Sequence, residues 1–233
     1  MNHLRLFLLL LILPNNLFSS DFNLNRLIKI KYPEGTAYFI GWSSSGNIAW
    51  LNYYDVCNEK ERKRSVCELN IQSMNSDSII YHLNFDNEAY QSDINNVVKN
   101  HDNDIQKILT KYRIFSFYGY IDTTKSFTMG NIDYSIDFFS MKKKSNIYYK
   151  EPGNSSMENL ENKAALSVNS KINGPKLLFY YNKKVTDNIT DIDFKGWIKS
   201  PFEQRILFLI MEDNLFDYEK TKIVFKGYFP AKK

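Results

Sequence analysis

The sequence predicts an α+β protein, mostly antiparallel β-sheet with one long amphipathic helix at about residues 88–112. Three observations predict this. Apolar and polar side chains alternate with a two-residue period along most of the chain. One segment departs from that period and repeats at helical spacing. The composition, 15% aromatic with 9 glycines in 233 residues, suits ordered pleated surfaces rather than disorder.

The elements follow in order. Leu27 to Lys31 and Thr36 to Ile40 are short β-prone runs separated by Pro33-Glu34-Gly35, a turn signal. Gly41-Trp42-Ser43-Ser44-Ser45-Gly46 follows as a tight loop in which Gly46 can take positive φ. Ile48 to Tyr54 is apolar on both faces and so belongs in the middle of a sheet. Cys67, Leu69 and Ile71 alternate with Val66, Glu68 and Asn70, which turns the cysteine inward. Ile79, Tyr81, Leu83 and Phe85 alternate likewise and leave His82 on the polar face. Ile94, Val97, Val98, His101, Ile105, Ile108, Leu109 and Tyr112 form the helical stripe, with Ser92 or Asp93 as cap. Strands resume at Ile114 to Ile121 and Ile132 to Phe138, with Asn146 to Lys150 as a partner. Glu151 to Asn162 is polar and turn-prone and is expected to be a loop. Four further strands are expected at Leu177 to Tyr181, Ile192 to Ile198, Ile206 to Met211 and Lys222 to Tyr228. Ile206 to Met211 is apolar on both faces and is expected to be central.

The first twenty residues read as an export signal, with residues 21–233 as one domain whose halves meet near residue 113. Arg5 precedes the apolar run Leu6 to Leu13, which Pro14-Asn15-Asn16 breaks before Ser19 and Ser20. Eight apolar residues suit a signal-peptide core and fall short of the roughly 20 that span a bilayer. An uncleaved anchor is the alternative, because Leu17 and Phe18 are large for the cleavage motif. No later segment is long and apolar enough to span a membrane, so the protein is expected in the periplasm or secreted. Removing Arg5 from the 30 basic residues leaves 29 against 26 acidic, a net charge of +3. The Lys60-Glu61-Arg62-Lys63-Arg64 and Lys142-Lys143-Lys144 runs read as solvated loops, and no nucleic-acid partner is expected.

Cys57 and Cys67 flank the first charged run. In an oxidising compartment a disulfide closing this loop is the natural reading, worth about 2.5–3 kcal/mol. A metal pair or a reactive thiol are the competing readings. Zinc would need further ligands, and His82 and His101 are the only histidines after the leader.

No constellation names a reaction. Ser200-Pro201-Phe202-Glu203 has the form of a capping box and predicts one helical turn; as a nucleophile Ser200 lacks flanking glycines. His101-Asp102-Asn103-Asp104 lacks the glycine and terminal glutamate of a calcium loop. Asp187, Asp191 and Asp193 are a compositional hint of calcium only. No phosphate-cradling loop or dinucleotide fingerprint occurs, and no cofactor is expected. Paired carboxylates remain open, since their separation is spatial.

Phe39-Ile40-Gly41-Trp42-Ser43-Ser44-Ser45-Gly46-Asn47-Ile48-Ala49-Trp50 resembles the opening of a group of uncharacterised exported bacterial proteins carrying a GWS-x-x-G-x-x-A-aromatic stretch. Gly196-Trp197-Ile198-Lys199-Ser200-Pro201-Phe202-Glu203-Gln204-Arg205 resembles a late stretch of the same proteins. The resemblance implies envelope localisation and assigns no activity. The first stretch is also similar to one strand-turn-strand of the blades in periplasmic TolB-like propellers, from which the helix and the non-repeating strands depart. The Trp42 loop is accordingly expected to bury its aromatic. These observations together lead to a non-catalytic envelope protein that binds a partner or ligand through loops at the sheet ends. The alternative is a secreted hydrolase with a dispersed acid–base pair.

Overall fold

The computed structural model describes residues 23–57, 63–85, 93–147, 157–185, 190–202, 204–214 and 221–230. Residues 1–20, expected as an export signal, lie outside them. β1 (Ile28–Tyr32) and β2 (Gly35–Trp42) form a hairpin around Pro33 and Glu34. β3 (Asn47–Cys57), β4 (Lys63–Ser73) and β5 (Ser78–Asn84) extend the meander. The short β6 (Phe115–Ser116) adds to β2, completing a six-stranded first sheet with β3 at its middle, as its two apolar faces require. The second sheet has the order β10-β9-β8-β7, built from β7 (Ser126–Met129), β8 (Ile132–Ile147), β9 (Met157–Ser170) and β10 (Gly174–Val185). The third joins β11 (Thr190–Lys199), β12 (Ile206–Asn214) and β13 (Lys222–Tyr228). Each ladder among these strands is antiparallel.

The layers follow from side-chain parity. Helices α1 (Ile94–Asn100) and α2 (Asp102–Lys111) lay Ile94, Val97, Val98, Ile105, Ile108 and Leu109 on one face of the first sheet. That face supplies Ile40, Ala49, Leu51, Cys67, Leu69 and Ile71. The opposite face packs on the third sheet through Phe39, Trp42, Ile48 and Trp50 against Ile198, Leu207, Leu209 and Phe225. The other face of the third sheet, with Ile192, Trp197, Ile206, Phe208 and Ile210, closes on the second sheet. The third sheet is thus the middle slab, and Ile206 to Ile210 are fully buried. Burying each such side chain contributes about 1.5–3 kcal/mol.

Two bulges set which aromatics reach these cores. The β2–β3 register shifts between Phe39 and Gly41, so Phe39 and Trp42, three residues apart, share one face. The β11–β12 register shifts between Phe194 and Gly196 and does the same for Phe194 and Trp197. Trp42 is buried beside the Ser43–Gly46 turn, where Gly46 has φ 87° and its N–H donates to Ser43 O at 3.1 Å.

Several expectations need correction. The helical stripe is intact, but the helix is two, of 7 and 10 residues, and residues 88–92 lie outside the description. His101 departs from helical geometry at φ −108°, ψ 12°, with its ring against Phe85 at 4.7 Å between centroids. Asp102 and Asp104 then open a fresh N-terminus, where acidic side chains complement the helix dipole. Asn146 and Ile147 finish β8 instead of forming a partner strand, and 148–150 lie outside the description. Of the expected loop Glu151 to Asn162, residues 157–162 open β9, and 151–156 are outside. Ile114 to Ile121 yields only the two-residue β6 before the chain crosses to pair Asp122 with Trp197. The Ser200 segment forms the β11–β12 connection, with no helical turn among its described residues. Ser200 Oγ accepts from Phe202 N at 3.3 Å, and Glu203 is outside the description.

The two cysteines of the expected bridge stand apart in the register. In the β3–β4 ladder Cys57 stands opposite Lys63, while Cys67 stands opposite Tyr53. Four register positions separate them, about 13 Å along the strands at about 3.3 Å each. A disulfide needs Cα atoms within about 7 Å. Cys67 is a free, buried thiol; the Cys57 side chain lies outside the described residues.

Candidate functional site

Strand parity that buries Cys67, Leu69 and Ile71 under the helices turns Glu68 and Asn70 to the opposite face. There the register aligns two cross-strand rows. Asn52 of β3, Glu68 of β4 and Asn84 of β5 form one; Trp50, Asn70 and His82 form the next. The third sheet covers the apolar part of this face as far as Trp50, which packs on Phe225 at 4.6 Å between ring centroids. The uncovered part is the floor of a cleft of about 440 Å³, walled on the far side by Thr221, Lys222, Ile223 and Val224.

The wall is held firmly. Gln72 Nε2 donates to Phe225 O at 2.9 Å within the buried interface, and Asp77 Oδ1 accepts from Gly227 N at 3.0 Å. Thr221 Oγ1 donates to Asp213 Oδ1 at 3.0 Å. On the floor, Tyr54 Oη donates to Glu68 Oε1 at 2.7 Å. Gly35 pairs with Tyr54 in the ladder, and a Cβ there would strike the Tyr54 side chain and the Tyr53 carbonyl. His82 Nδ1 and Asn70 Oδ1 are 2.9 Å apart, a bond that places a proton on Nδ1.

Two buried polar atoms at this floor, Trp50 Nε1 and Asn52 Oδ1, have no hydrogen-bond partner among the described residues. Native proteins leave few such groups. Tyr32 also lines the cleft. Burial, then the charges of Glu68 and Glu34, push its phenol far above the ordinary value of 10.0. The cleft therefore combines one carboxylate, one lysine, two amides, an imidazole and three aromatic rings.

A second hollow, of about 510 Å³, lies at the hairpin ends of the second sheet beside Asn131, Asp133, Tyr134, Asn169 and Lys171. It sits where loops at sheet ends were expected to bind. Two of its polar groups are engaged locally: Thr128 Oγ1 donates to Asp133 Oδ1 at 2.7 Å, and Ser170 Oγ accepts from Asn173 N at 3.0 Å. The Glu68 cleft is the stronger site because its polar groups come from three strands and face one space.

The residues singled out from sequence are dispersed. His82 alone joins the cleft. His101 packs in the helix layer, and Asp102 and Asp104 open α2. Asp191 pairs with Lys142, and Asp193 lies 3.2 Å from Lys195; Asp187 is outside the description. No group of three or more His, Cys, Asp or Glu arranged to hold a metal occurs among the described residues. No helix there is long and apolar enough to cross a membrane. Glu68, Asn52, Tyr54 and Trp50 went unnoticed as a site. The available signal was polar residues at matching parity on neighbouring strands.

Comparison with family models, curated proteins and solved structures returns no match to this chain.

Proposed function

We propose that the chain is an exported binding module that holds a small polar ligand in the Glu68 cleft without transforming it. The supporting observation is the convergence of Glu68, Asn52, Asn70 and His82 on one face of a 440 Å³ cleft. Glycoside cleavage takes two carboxylates flanking the bond, and the described lining carries one. Export rests on Arg5 and the Leu6 to Leu13 run, and the resemblance of the GWS stretch to exported bacterial proteins agrees with it.

The hydrolase reading has one concrete pair in its favour. Glu68 and His82 stand in adjacent rows, diagonal neighbours about 7–8 Å apart at Cα, a spacing that suits acid–base work across a bound bond. The two readings separate in one experiment. Purified mature protein is screened for thermal stabilisation by a metabolite library and for turnover of glycoside, ester and peptide substrates. The binding reading expects stabilisation that Glu68→Gln removes, and no turnover. Turnover abolished by both Glu68→Gln and His82→Ala would replace it with the hydrolase. A flat screen on both counts would remove both. Cell fractionation with N-terminal sequencing checks export: full-length chain in the cytosol contradicts it.

A further inference from the structure

We infer that the Glu68 cleft selects a small organic cation, a protonated or quaternary amine. Its nitrogen sits at the Glu68 carboxylate and its carbon skeleton lies against Trp50, Tyr54 and Tyr32. This rests on the binding reading and names its ligand class.

The sign of the cleft carries the argument. Among the described residues the Glu68 carboxylate has one hydrogen-bond donor, Tyr54, and no ion-pair partner. A second carboxylate, Glu34, stands close enough that it and Glu68 both act on the Tyr32 phenol. On the opposite wall, Lys222 is exposed at the rim and stands opposite Glu212 in the β12–β13 ladder. His82 commits Nδ1 to Asn70. An anionic ligand would meet Glu68 with only Lys222 of the far wall, itself opposite Glu212, to offset it. A neutral ligand would cover the carboxylate and leave its charge desolvated. A cation supplies the missing partner.

The walls agree with the charge. Tyr32, Trp50 and Tyr54 line one cavity with Glu68, and aromatic faces attract cations through the ring quadrupole, more strongly where water is excluded. Ile79, Ile223 and Val224 add apolar surface for methyl or methylene groups. The Asn52 Oδ1 acceptor suits an ammonium N–H or a ligand hydroxyl.

The test uses three compounds of nearly one shape: choline, 3,3-dimethylbutan-1-ol and 3,3-dimethylbutyrate, with butylammonium as a primary amine. Each is titrated into the full mature chain and followed by backbone amide shifts. Choline or butylammonium is expected to move the amides of Asn52, Glu68, Asn70 and His82 saturably, with the alcohol and the carboxylate at least ten-fold weaker. Glu68→Gln is expected to weaken the cation at least ten-fold and erase the gap to the alcohol. The wild-type ratio of cation to alcohol needs no variant to fold. Equal or tighter binding of the alcohol or carboxylate overturns the inference, as does cation binding that moves other amides only. If a neutral metabolite occupies the cleft while neither ammonium does, the ligand class fails and the binding reading stands. If no compound moves a cleft amide, the binding reading fails and takes the inference with it.

Discussion

Tyr54 and Glu68 meet on adjacent strands, with the phenol donating to Glu68 Oε1 at 2.7 Å. Tyr54 is buried, so its hydroxyl is aimed and not free to wander. A bond to a charged acceptor is worth more than a neutral one. Tyr54→Phe is expected to lower unfolding free energy by about 1.5–3 kcal/mol in urea. A loss under a few tenths would show that the pair does not order the cleft floor.

The middle slab predicts two large losses on opposite faces. Leu209 faces the first sheet and Phe208 the second, both at 0% exposure. Leu209→Ala is expected to cost about 2–5 kcal/mol and Phe208→Ala about 3–5. An exposed edge strand would give well under 1 kcal/mol at both, and chemical denaturation separates the cases.

Gly196 sits at the β11 bulge with φ 127° and faces the backbone of Asp122. Asp122 and Trp197 exchange both backbone hydrogen bonds there, at 2.8 and 2.9 Å. Gly196→Ala adds a Cβ to a conformation that L residues avoid, against backbone that cannot swing aside. A cost of about 2 kcal/mol or more is expected, with blue-shifted or broadened Trp197 emission. A neutral alanine would mean that the crossing segment is not docked on β11.

Cys67 predicts a pH dependence. Burial, then the Glu68 charge, push its thiol from the ordinary 9.0 to about 12. The group is raised on folding, so its contribution is complete below pH 9 and is lost as pH rises toward 12. Three units correspond to about 4 kcal/mol at the limit. Unfolding free energy should fall between pH 9 and 11, less steeply in Cys67→Ala. Tyr32, raised on folding from 10.0, keeps part of the slope in that variant. An identical slope in both proteins would contradict the assignment. Alkylation of unfolded, unreduced protein should mark both cysteines, as the register separating Cys57 from Cys67 requires.

The sequence was most legible where burial is one- or two-sided and regular. Ile48 to Tyr54 and Ile206 to Met211 announce central strands because both their faces are apolar, and the stripe from Ile94 to Tyr112 announces a helix face. It was less legible where pairing runs through polar sequence. β9 opens with Met157 to Asn162, a polar stretch that nonetheless pairs with β8. The Ala164, Leu166, Val168 alternation behind it is short and easily lost. The break at His101 has no proline or glycine to mark it; an aromatic contact from distant Phe85 coincides with it. The cysteine spacing invites a bridge, and sequence distance alone does not show the four register positions between the two residues. The cleft was half visible: Glu68, Asn70 and His82 read as polar faces, but only strand order brings them beside Trp50 and Tyr54.

Amide-shift mapping of whichever compound the library screen selects decides whether the Glu68 cleft binds it. The largest saturable shifts are expected at Asn52, Glu68, Asn70, His82 and Lys222. Shifts centred on Asn131, Asp133, Asn169 and Lys171 would place binding in the hairpin-end hollow of the second sheet and contradict that expectation.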